Sequence, residues 1–418
     1  MMDHFSWHEN LSYTYPHWLY DFFTYLIYSI VGFKGVYIIT CVLSAILGIS
    51  IFLVNSKLTK SKSISFIITM GVIYALKPYI AARAQLVTFI LFIWELFFIE
   101  KFIENRKIGY GIGLILISTL IANLHVATWP FFFVLFLPYI VEYLIAIVSD
   151  IIIYKKCKML VIKHKMKKAQ KKNDIERLKE LQIKLQEQED KNLKIKDKRE
   201  NKNNSYKLVI KRRENVKFLI IIMIICAFTG LLTPLGDTPY TYLYKTMKGN
   251  TTQNISEHLP LTLINNTNAM CVLVIFLAIL IFTKTKIRLS DLFMLSGLCY
   301  LMFSTRRQFS IFVLICSVIL TKFIVDLINT YTKKGIKEFE EAFRNVLVVI
   351  SLTVLIGLMS YDAVKPKLDD KFVDSKSYPV EACDYILENI DLSKARFYNE
   401  YNYGSYMLFR GIPVFIDS

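Results

Sequence analysis

Residues 35–54 read GVYIITCVLSAILGISIFLV, a run of 20 residues without a charged side chain. As an α-helix this run is about 30 Å long, which matches the hydrocarbon core of a bilayer. A helix pairs its own backbone groups, so it is a stable form for such a segment in lipid. The whole chain is 54% hydrophobic, more than one water-soluble core would hide. The sequence therefore predicts an integral membrane protein.

Similar apolar runs recur along the chain and predict an all-α polytopic membrane bundle of about ten transmembrane helices. They cover 35–54, 64–80, 84–103, 108–124, 128–150, 217–234, 269–285, 288–304, 308–329 and 345–361. Lysine and arginine favour the cytoplasmic side of such a bundle. The basic connections all fall on one side, which we assign to the cytoplasm: Lys57–Lys62, Arg106–Lys107, Lys155–Lys217, Lys284–Arg288 and Lys333–Arg344.

Ten crossings with this orientation place both termini outside the cytoplasm, in a multi-pass protein of the plasma membrane. Residues 17–32 are aromatic and carry Asp21, so we expect them to lie along the outer interface rather than cross. The predicted parts are an external loop with this interfacial helix (1–34), a first five-span bundle (35–150), a basic cytoplasmic helical insertion (151–216), a second five-span bundle (217–361) and an external α/β segment (362–418).

The net charge of +17 is concentrated in the basic insertion. Lys155–Lys217 holds 23 Lys/Arg and 9 Asp/Glu, a balance of +14. No aromatic interleaving or base-reading motif accompanies these charges, so we expect no nucleic-acid partner. The spacing of Ile175, Leu178, Leu181 and Leu185 predicts a solvated helical hairpin or short coiled coil. Its role is a spacer, an attraction to anionic lipid headgroups, or the recruitment of a protein to a non-enzymatic scaffold.

The segment after the last predicted span should begin a small external α/β domain. We predict a helix over Tyr378–Ile390, a strand at Ala395–Tyr398, a helix at Gly404–Phe409 and a strand at Val414–Ile416. The chain stops within this last strand, and no secretory signal precedes the first apolar run. We therefore expect an incomplete α/β segment and a chain that is a fragment at both ends.

Four cations lie at the predicted outer ends of spans, where the positive-inside bias should deplete them: Lys77, Arg83, Arg306 and Arg307. Guanidinium groups at the mouth of a bundle are suited to bidentate contact with a phosphate or diphosphate, as on a lipid-linked substrate. Contact with lipid phosphates or with outer carboxylates is the alternative explanation. The three arginines are taken as substrate-binding candidates.

Five of the six histidines also lie on the predicted outer side, and His17 and His125 join the substrate-binding candidates. The first loop offers residues that could bind a divalent cation, of which the first two are the metal candidates: Asp3, His4, His8 and Glu9. The seven cysteines are scattered without a CxxC pair. They indicate neither a disulfide framework nor a zinc site.

Carboxylates on the outer side are the candidates for a catalytic base. Transfer of a sugar to a hydroxyl needs one carboxylate to accept the proton of the acceptor while cations hold the phosphate leaving group. The outer acids are Asp3, Glu9, Asp21, Asp237 and Glu257. We take Asp3 and Glu257 as the catalytic candidates, although loops are rich in acids and each is also explained as a solvated residue.

Two acids, Glu95 and Glu142, fall within predicted spans near their cytoplasmic ends. An acid within the membrane favours a function such as proton-coupled transport or lipid flipping. Side chains this close to the interface also reach water by extending along the helix. A polytopic transporter or lipid flippase is therefore the alternative to an enzyme.

Short motifs follow one another in a fixed order along the chain. They are DHFSW at 3–7, PHWL at 16–19, RAQ at 83–85, ANLH at 122–125, TPLG at 233–236, SEHLP at 256–260, TRR at 305–307, NEYNYGSY at 399–406 and VFID at 414–417. In this order they resemble bacterial GT-C-type polytopic membrane glycosyltransferase-like proteins. The resemblance covers the chain apart from the basic insertion.

This resemblance implies a GT-C-like fold and a membrane glycosyltransferase that moves a sugar from a polyprenyl-phosphate donor to an external acceptor. It implies that the base is a carboxylate of the first external loop, a position that Asp3 matches. Arg83 and Arg306 match positions for the donor phosphate. The implied partners are the lipid bilayer and the lipid-linked sugar donor, with a divalent cation as a possible cofactor.

Overall fold

A computed structural model gives the fold of the chain. It describes residues 6–8, 13–153, 156–171, 174–202, 207–248, 256–264, 266–332, 335–364, 373–375 and 377–416. Within these ranges the molecule is an all-α structure whose only strands, β1 (Leu208–Val209) and β2 (Ile287–Arg288), pair in parallel. The contacts divide it into one unit of Met1–Pro16 with Phe343–Ser418 and another of His17–Ala342.

The helices follow the apolar runs of the sequence closely. They are α1 (Trp18–Val31), α2 (Phe33–Thr59), α3 (Lys62–Leu76), α4 (Ala84–Asn105), α5 (Ile108–Leu124), α6 (Trp129–Val134), α7 (Leu137–Ile153), α8 (Lys156–Lys171), α9 (Ile175–Lys202), α10 (Val216–Phe228), α11 (Thr238–Lys248), α12 (Thr267–Phe282), α13 (Leu289–Ser304), α14 (Phe309–Tyr331), α15 (Ile336–Phe343), α16 (Val346–Val364), α17 (Val380–Asn389) and α18 (Tyr401–Phe409).

Among the residues that the structure describes, three stretches of helix are long and apolar enough to cross a membrane: Phe33–Thr59, Val126–Ile151 and Arg306–Tyr331. Shorter apolar helices cover Ile108–Leu124, Val216–Leu231, Thr267–Phe282, Leu289–Ser304 and Val346–Leu358. Large apolar side chains also face outward on these helices, among them Ile38 and Ile49 of α2 and Phe282 of α12. These features indicate association with a membrane, because apolar surface of this kind is stable in lipid and costly in water.

In the His17–Ala342 unit a large apolar core packs helices α2 to α7, α10 and α12 to α14 around α4 and α14. Glycines let α5 approach its neighbours closely. A Cβ at Gly113 would come within 2.6 Å of the Phe98 ring of α4, and one at Gly111 within 2.9 Å of Ile222 of α10. Small residues at such crossings are typical of helix packing in membranes.

Polar side chains inside this core are paired between helices. Asn55 of α2 donates to Ser317 of α14 and accepts from Thr321 one turn further along. Trp129 donates its indole N–H to the hydroxyl of Ser118, which also contacts the hydroxyl of Thr229. Because an unpaired buried polar group costs free energy, these pairs fix the register of the helices.

The other unit contains α16, α17 and α18, with a small core around Cys383, Met407 and Ile412. The helices predicted at 378–390 and 404–409 are present as α17 and α18. The backbone at 395–398 forms no strand, and the Phe397 carbonyl accepts the indole N–H of Trp7. Val414 makes only an isolated parallel bridge with Ser6. The described part of this segment is thus helical rather than α/β.

Candidate functional site

A cleft in the His17–Ala342 unit gathers three of the predicted substrate-binding residues and one predicted catalytic residue. Its volume is 330 Å³, and its lining is Pro78, Tyr79, Ala81, Arg83, Gln85, Glu257, Arg306 and Arg307. The three arginines outnumber the single carboxylate, so the lining carries a net charge of +2. A cleft with this excess of guanidinium groups is suited to an anion.

Ends of three helices and one loop form the cleft. Arg83 is the residue immediately before α4, and Arg306 and Arg307 lie in the 3-10 turn before α14. The backbone N–H of Arg306 donates to Leu259, and its side-chain Nε donates to the carbonyl of Pro260. These bonds tie the loop that carries Glu257 to the arginine-bearing turn.

The charges of the cleft are unequally paired. An Arg83 nitrogen lies 3.3 Å from a carboxylate oxygen of Glu257, and both side chains are about half exposed. Such an exposed pair is weak and easily exchanged. The Arg307 guanidinium is half-buried and has no hydrogen bond or ion pair with any residue that the structure describes. Arg307 is therefore the cation of the cleft most available to a ligand.

Two predicted substrate-binding histidines lie beside these charges as a pair of contacting rings, with 55° between the ring planes. The ring centroids of His17 and His125 are 4.7 Å apart, and His125 is buried. The Thr88 hydroxyl oxygen lies 2.9 Å from Nδ1 of His125 and 3.1 Å from the Ala84 carbonyl oxygen. Which of these two groups receives its one hydrogen depends on the tautomer of His125.

Burial and neighbouring charge keep both rings neutral. Burial, and secondly the charge of Arg307, lower the pKa of His17 from 6.5 to about 4. Burial, then His17 and then Arg307 hold the pKa of His125 well below its ordinary value. At neutral pH the histidine pair is thus uncharged, so the positive charge of the region is that of the arginines.

Some predicted site residues are not part of this cleft. Asp3, His4 and Glu9 lie outside the described residues. His8 belongs to the other unit, where its Nε2 lies 3.2 Å from the Phe415 carbonyl oxygen. In the described portion of the chain no three His, Cys, Asp or Glu residues are grouped as metal ligands.

Roles for Tyr79, Gln85 and Thr88 were not predicted from the sequence. Gln85 is buried and donates to Ser310, and the Tyr79 hydroxyl donates to the carbonyl of Arg306. Gln85 follows Arg83 by two positions at the start of an apolar run, which is an unusual place for an amide. The position of this amide at the start of an apolar run was the sequence signal that could have identified Gln85. Thr88 could not be recognised, because a threonine that bonds its own helix is common.

A second charged cluster occupies the opposite ends of the same helices. Glu100 of α4 lies 2.5 Å from Arg288, 3.0 Å from Lys322 and 3.6 Å from Arg213. Asp291 of α13 contacts Arg288 at 2.5 Å. Tyr139 also donates its hydroxyl to Glu100. Because these carboxylates are largely buried, the cluster holds α4, α13, α14 and the segment before α10 together.

The two acids that favour a transporter have different environments. Glu142 accepts the backbone N–H of Lys211 at 3.1 Å, so its carboxylate has a structural role. Glu95 is fully buried, and neither carboxylate oxygen has a hydrogen-bond partner within the described structure. Of these two acids, only Glu95 is buried without such a role.

Comparison of the sequence with models of known protein families and with curated proteins finds no match in either case. The GT-C resemblance therefore remains a prediction that rests on the quoted motifs. The evidence for the arginine cleft and the histidine pair as a candidate site is their geometry in the structure alone.

Proposed function

We propose that this chain is a GT-C-type membrane glycosyltransferase that transfers a sugar from a polyprenyl-phosphate donor to an external acceptor. The observation that carries the proposal is the cleft in which Arg83, Arg306 and Arg307 meet Glu257. These residues come from distant parts of the sequence and supply both requirements of the reaction. The guanidinium groups bind the phosphate, and a carboxylate accepts a proton.

The proposed topology has ten crossings, with the cleft on the outer side. Its support is the separation of the two charged ends of the same helices. Arg83 and Glu100 are about 25 Å apart along α4, and Arg307 and Lys322 are about 22 Å apart along α14. These lengths approach the thickness of a hydrocarbon core. The shorter apolar helices complete the count through local thinning of the bilayer and through their 3-10 extensions.

The proposed reaction is an inverting displacement. The acceptor hydroxyl oxygen attacks the anomeric carbon from the face opposite the phosphate, and the bond between that carbon and the phosphate oxygen breaks. The electron pair leaves with the phosphate, whose charge the arginines stabilise. A carboxylate takes the hydroxyl proton. Glu257 can do this after the phosphate has drawn Arg83 away, and Asp3 is the second candidate base.

The test is a transfer assay in proteoliposomes with a polyprenyl-phosphate sugar. Arg307→Gln should lower transfer about 10- to 100-fold, the value of a charge-assisted hydrogen bond to a developing anion. Of the two acid variants, Glu257→Gln and Asp3→Asn, the one that removes the catalytic base should abolish transfer. Lys245→Gln is the control, because it removes an exposed cation of α11 that does not line the cleft. Full transfer by both acid variants would show that neither carboxylate is the base.

The buried, unpaired carboxyl of Glu95 supports a second candidate function, transport or lipid flipping. A lone acid inside a bundle is suited to binding and releasing a proton during a transport cycle. In that case Glu95→Gln should stop flux in proteoliposomes while Glu142→Gln changes it less. A glycosyltransferase should keep its transfer rate in the folded Glu95→Gln variant, so the two assays together separate the two functions.

A further inference from the structure

The charged side chains of helix α8 are all positive. Its sequence, KCKMLVIKHKMKKAQK, contains seven lysines and no acid. Lys163, Lys165, Lys167 and Lys168 are exposed. No hydrogen bond or ion pair joins these four lysines to any residue in the described part of the chain. A surface of this composition attracts an anionic partner.

The charge lies away from the partner helix α9. Ile162 and Ala169 of α8 pack against Leu181 of α9 in a small apolar core. Helix α9 differs from α8 because its nine basic residues are interspersed with seven acids. Two of its lysines pair with acids one turn away, Lys184 with Glu180 and Lys191 with Glu187. The two helices of the hairpin therefore differ in charge, and the lysine charges of α8 are the ones that no acid of the same helix neutralises.

Two large apolar side chains accompany the lysines. Leu160 is 66% exposed and Val161 is 53% exposed. Lysines beside exposed aliphatic residues are typical of helices that rest on a bilayer surface. Nucleic-acid surfaces use aromatic residues for stacking, and α8 contains no Phe, Tyr or Trp.

The hairpin is fastened at the end of an apolar helix. The segment that follows α9 pairs through β1 with β2. Further along, Lys211 donates its backbone N–H to Glu142, and Arg212 contacts Asp150 at 3.0 Å. Glu142 and Asp150 both belong to α7, the helix that directly precedes α8. The root of the hairpin is thus fixed beside the last turns of α7.

We propose that the lysine face of α8 docks on anionic lipid headgroups of the leaflet nearest the end of α7. Leu160 and Val161 enter the headgroup region, and the four exposed lysines contact lipid phosphates. This docking is independent of sugar transfer. Each lysine close to an anionic membrane changes the ratio of docked to undocked helix by about fivefold.

The experiment uses the full chain in nanodiscs with its seven native cysteines replaced by serine, a fluorophore on His164→Cys and a quencher attached to lipid headgroups. Quenching should be stronger with phosphatidylglycerol than with phosphatidylcholine alone, and salt should weaken it because it screens surface charge. A variant with Lys163, Lys165, Lys167 and Lys168 all changed to Gln should lose the difference between the two lipids.

The matched control removes the same charge from α9, through Arg177→Gln, Lys179→Gln, Lys184→Gln and Lys191→Gln together. It should retain the lipid dependence. Equal quenching in both lipids for the natural sequence would overturn the proposal. So would an equal loss in both quadruple variants, which would show a general charge effect. If RNA or an acidic protein protected the label and anionic lipid did not, the lysine face of α8 would be assigned to that other partner.

Discussion

Arg307 and Arg83 carry the same charge but have different environments. Arg83 is largely exposed and pairs with Glu257, whereas Arg307 is half-buried and forms no ion pair with any of the described side chains. A half-buried guanidinium without a partner is costly, and a bound anion would relieve that cost. The cleft is therefore organised around Arg307, with Arg83 and Glu257 as an exchangeable pair at its edge.

The histidine pair predicts a stability that depends on pH. The folded protein holds His17 at a pKa of about 4, and the unfolded chain titrates at about 6.5. The unfolded chain therefore takes up the proton first as the pH falls. The contribution of neutral His17 to the free energy of unfolding is complete above pH 6.5. It is lost as the pH falls to 4, and the total loss is about 3 kcal/mol.

His17→Phe should weaken this dependence, because phenylalanine keeps a ring beside His125 and does not titrate. His125, whose pKa is also lowered by burial, keeps its own contribution. The measurement is the midpoint of thermal unfolding in detergent between pH 7 and 4. The exposed His164, changed to Gln, should leave the dependence intact. An unchanged pH slope in the His17 variant would show that this ring is not the titrating group.

At the scale of elements, the buried carboxylate of Glu100 connects helices that are far apart in sequence. Glu100→Gln removes the main counterion of three cations and should destabilise the bundle by about 3–5 kcal/mol. Glu104→Gln is the matched control on the same helix, since its exposed pair with Lys101 should contribute less than about 1 kcal/mol. Thermal unfolding in detergent measures both. Equal midpoints for the two variants would contradict the assigned role.

The crossing of α4 and α5 predicts a difference between two glycines. Gly113→Val would bring its Cβ to 2.6 Å from Phe98, a ring confined between Trp94 and Tyr110. Overpacking of this kind costs about 1–3 kcal/mol. Gly109 lies on the same helix, and a Cβ added there would meet nothing within 4 Å, so Gly109→Val should cost much less. Unfolding midpoints of the two variants test the helix crossing.

At the scale of the whole molecule, the proposed topology predicts which positions face the outside. Single cysteines at Ala81 and Tyr398 should react with a membrane-impermeant maleimide on intact cells. A cysteine at Lys107 should react only after permeabilisation. Labelling of Lys107→Cys on intact cells, or protection of Ala81→Cys until the membrane is opened, would reverse the sidedness and remove the basis for an external reaction.

The sequence predicted the helical fold and most of the cleft residues because both leave a local signal in the sequence. Apolar runs report helix length directly, and the bias of Lys and Arg between the two sides singles out Arg83, Arg306 and Arg307. Contacts between distant segments carry no local signal. The Glu100 cluster was missed because its partners Arg288 and Lys322 follow 188 and 222 residues later.

The predicted strands of the last segment show the opposite case, in which a local signal was overridden. Alternating apolar residues at 395–398 favour a strand only if a neighbour offers its backbone. In the described structure the Phe397 carbonyl is bonded to the indole of Trp7, a residue near the other end of the chain. The strand prediction failed because this long-range bond was not visible in the sequence.

The Glu100 cluster also has a consequence for biosynthesis. A ribosome completes α4 well before it makes Arg288 and Lys322, so for much of translation the carboxyl of Glu100 lacks the ammonium and guanidinium groups that later neutralise it. The carboxyl gains these partners only after the second half has been made, so the native packing of the first half is completed late in synthesis.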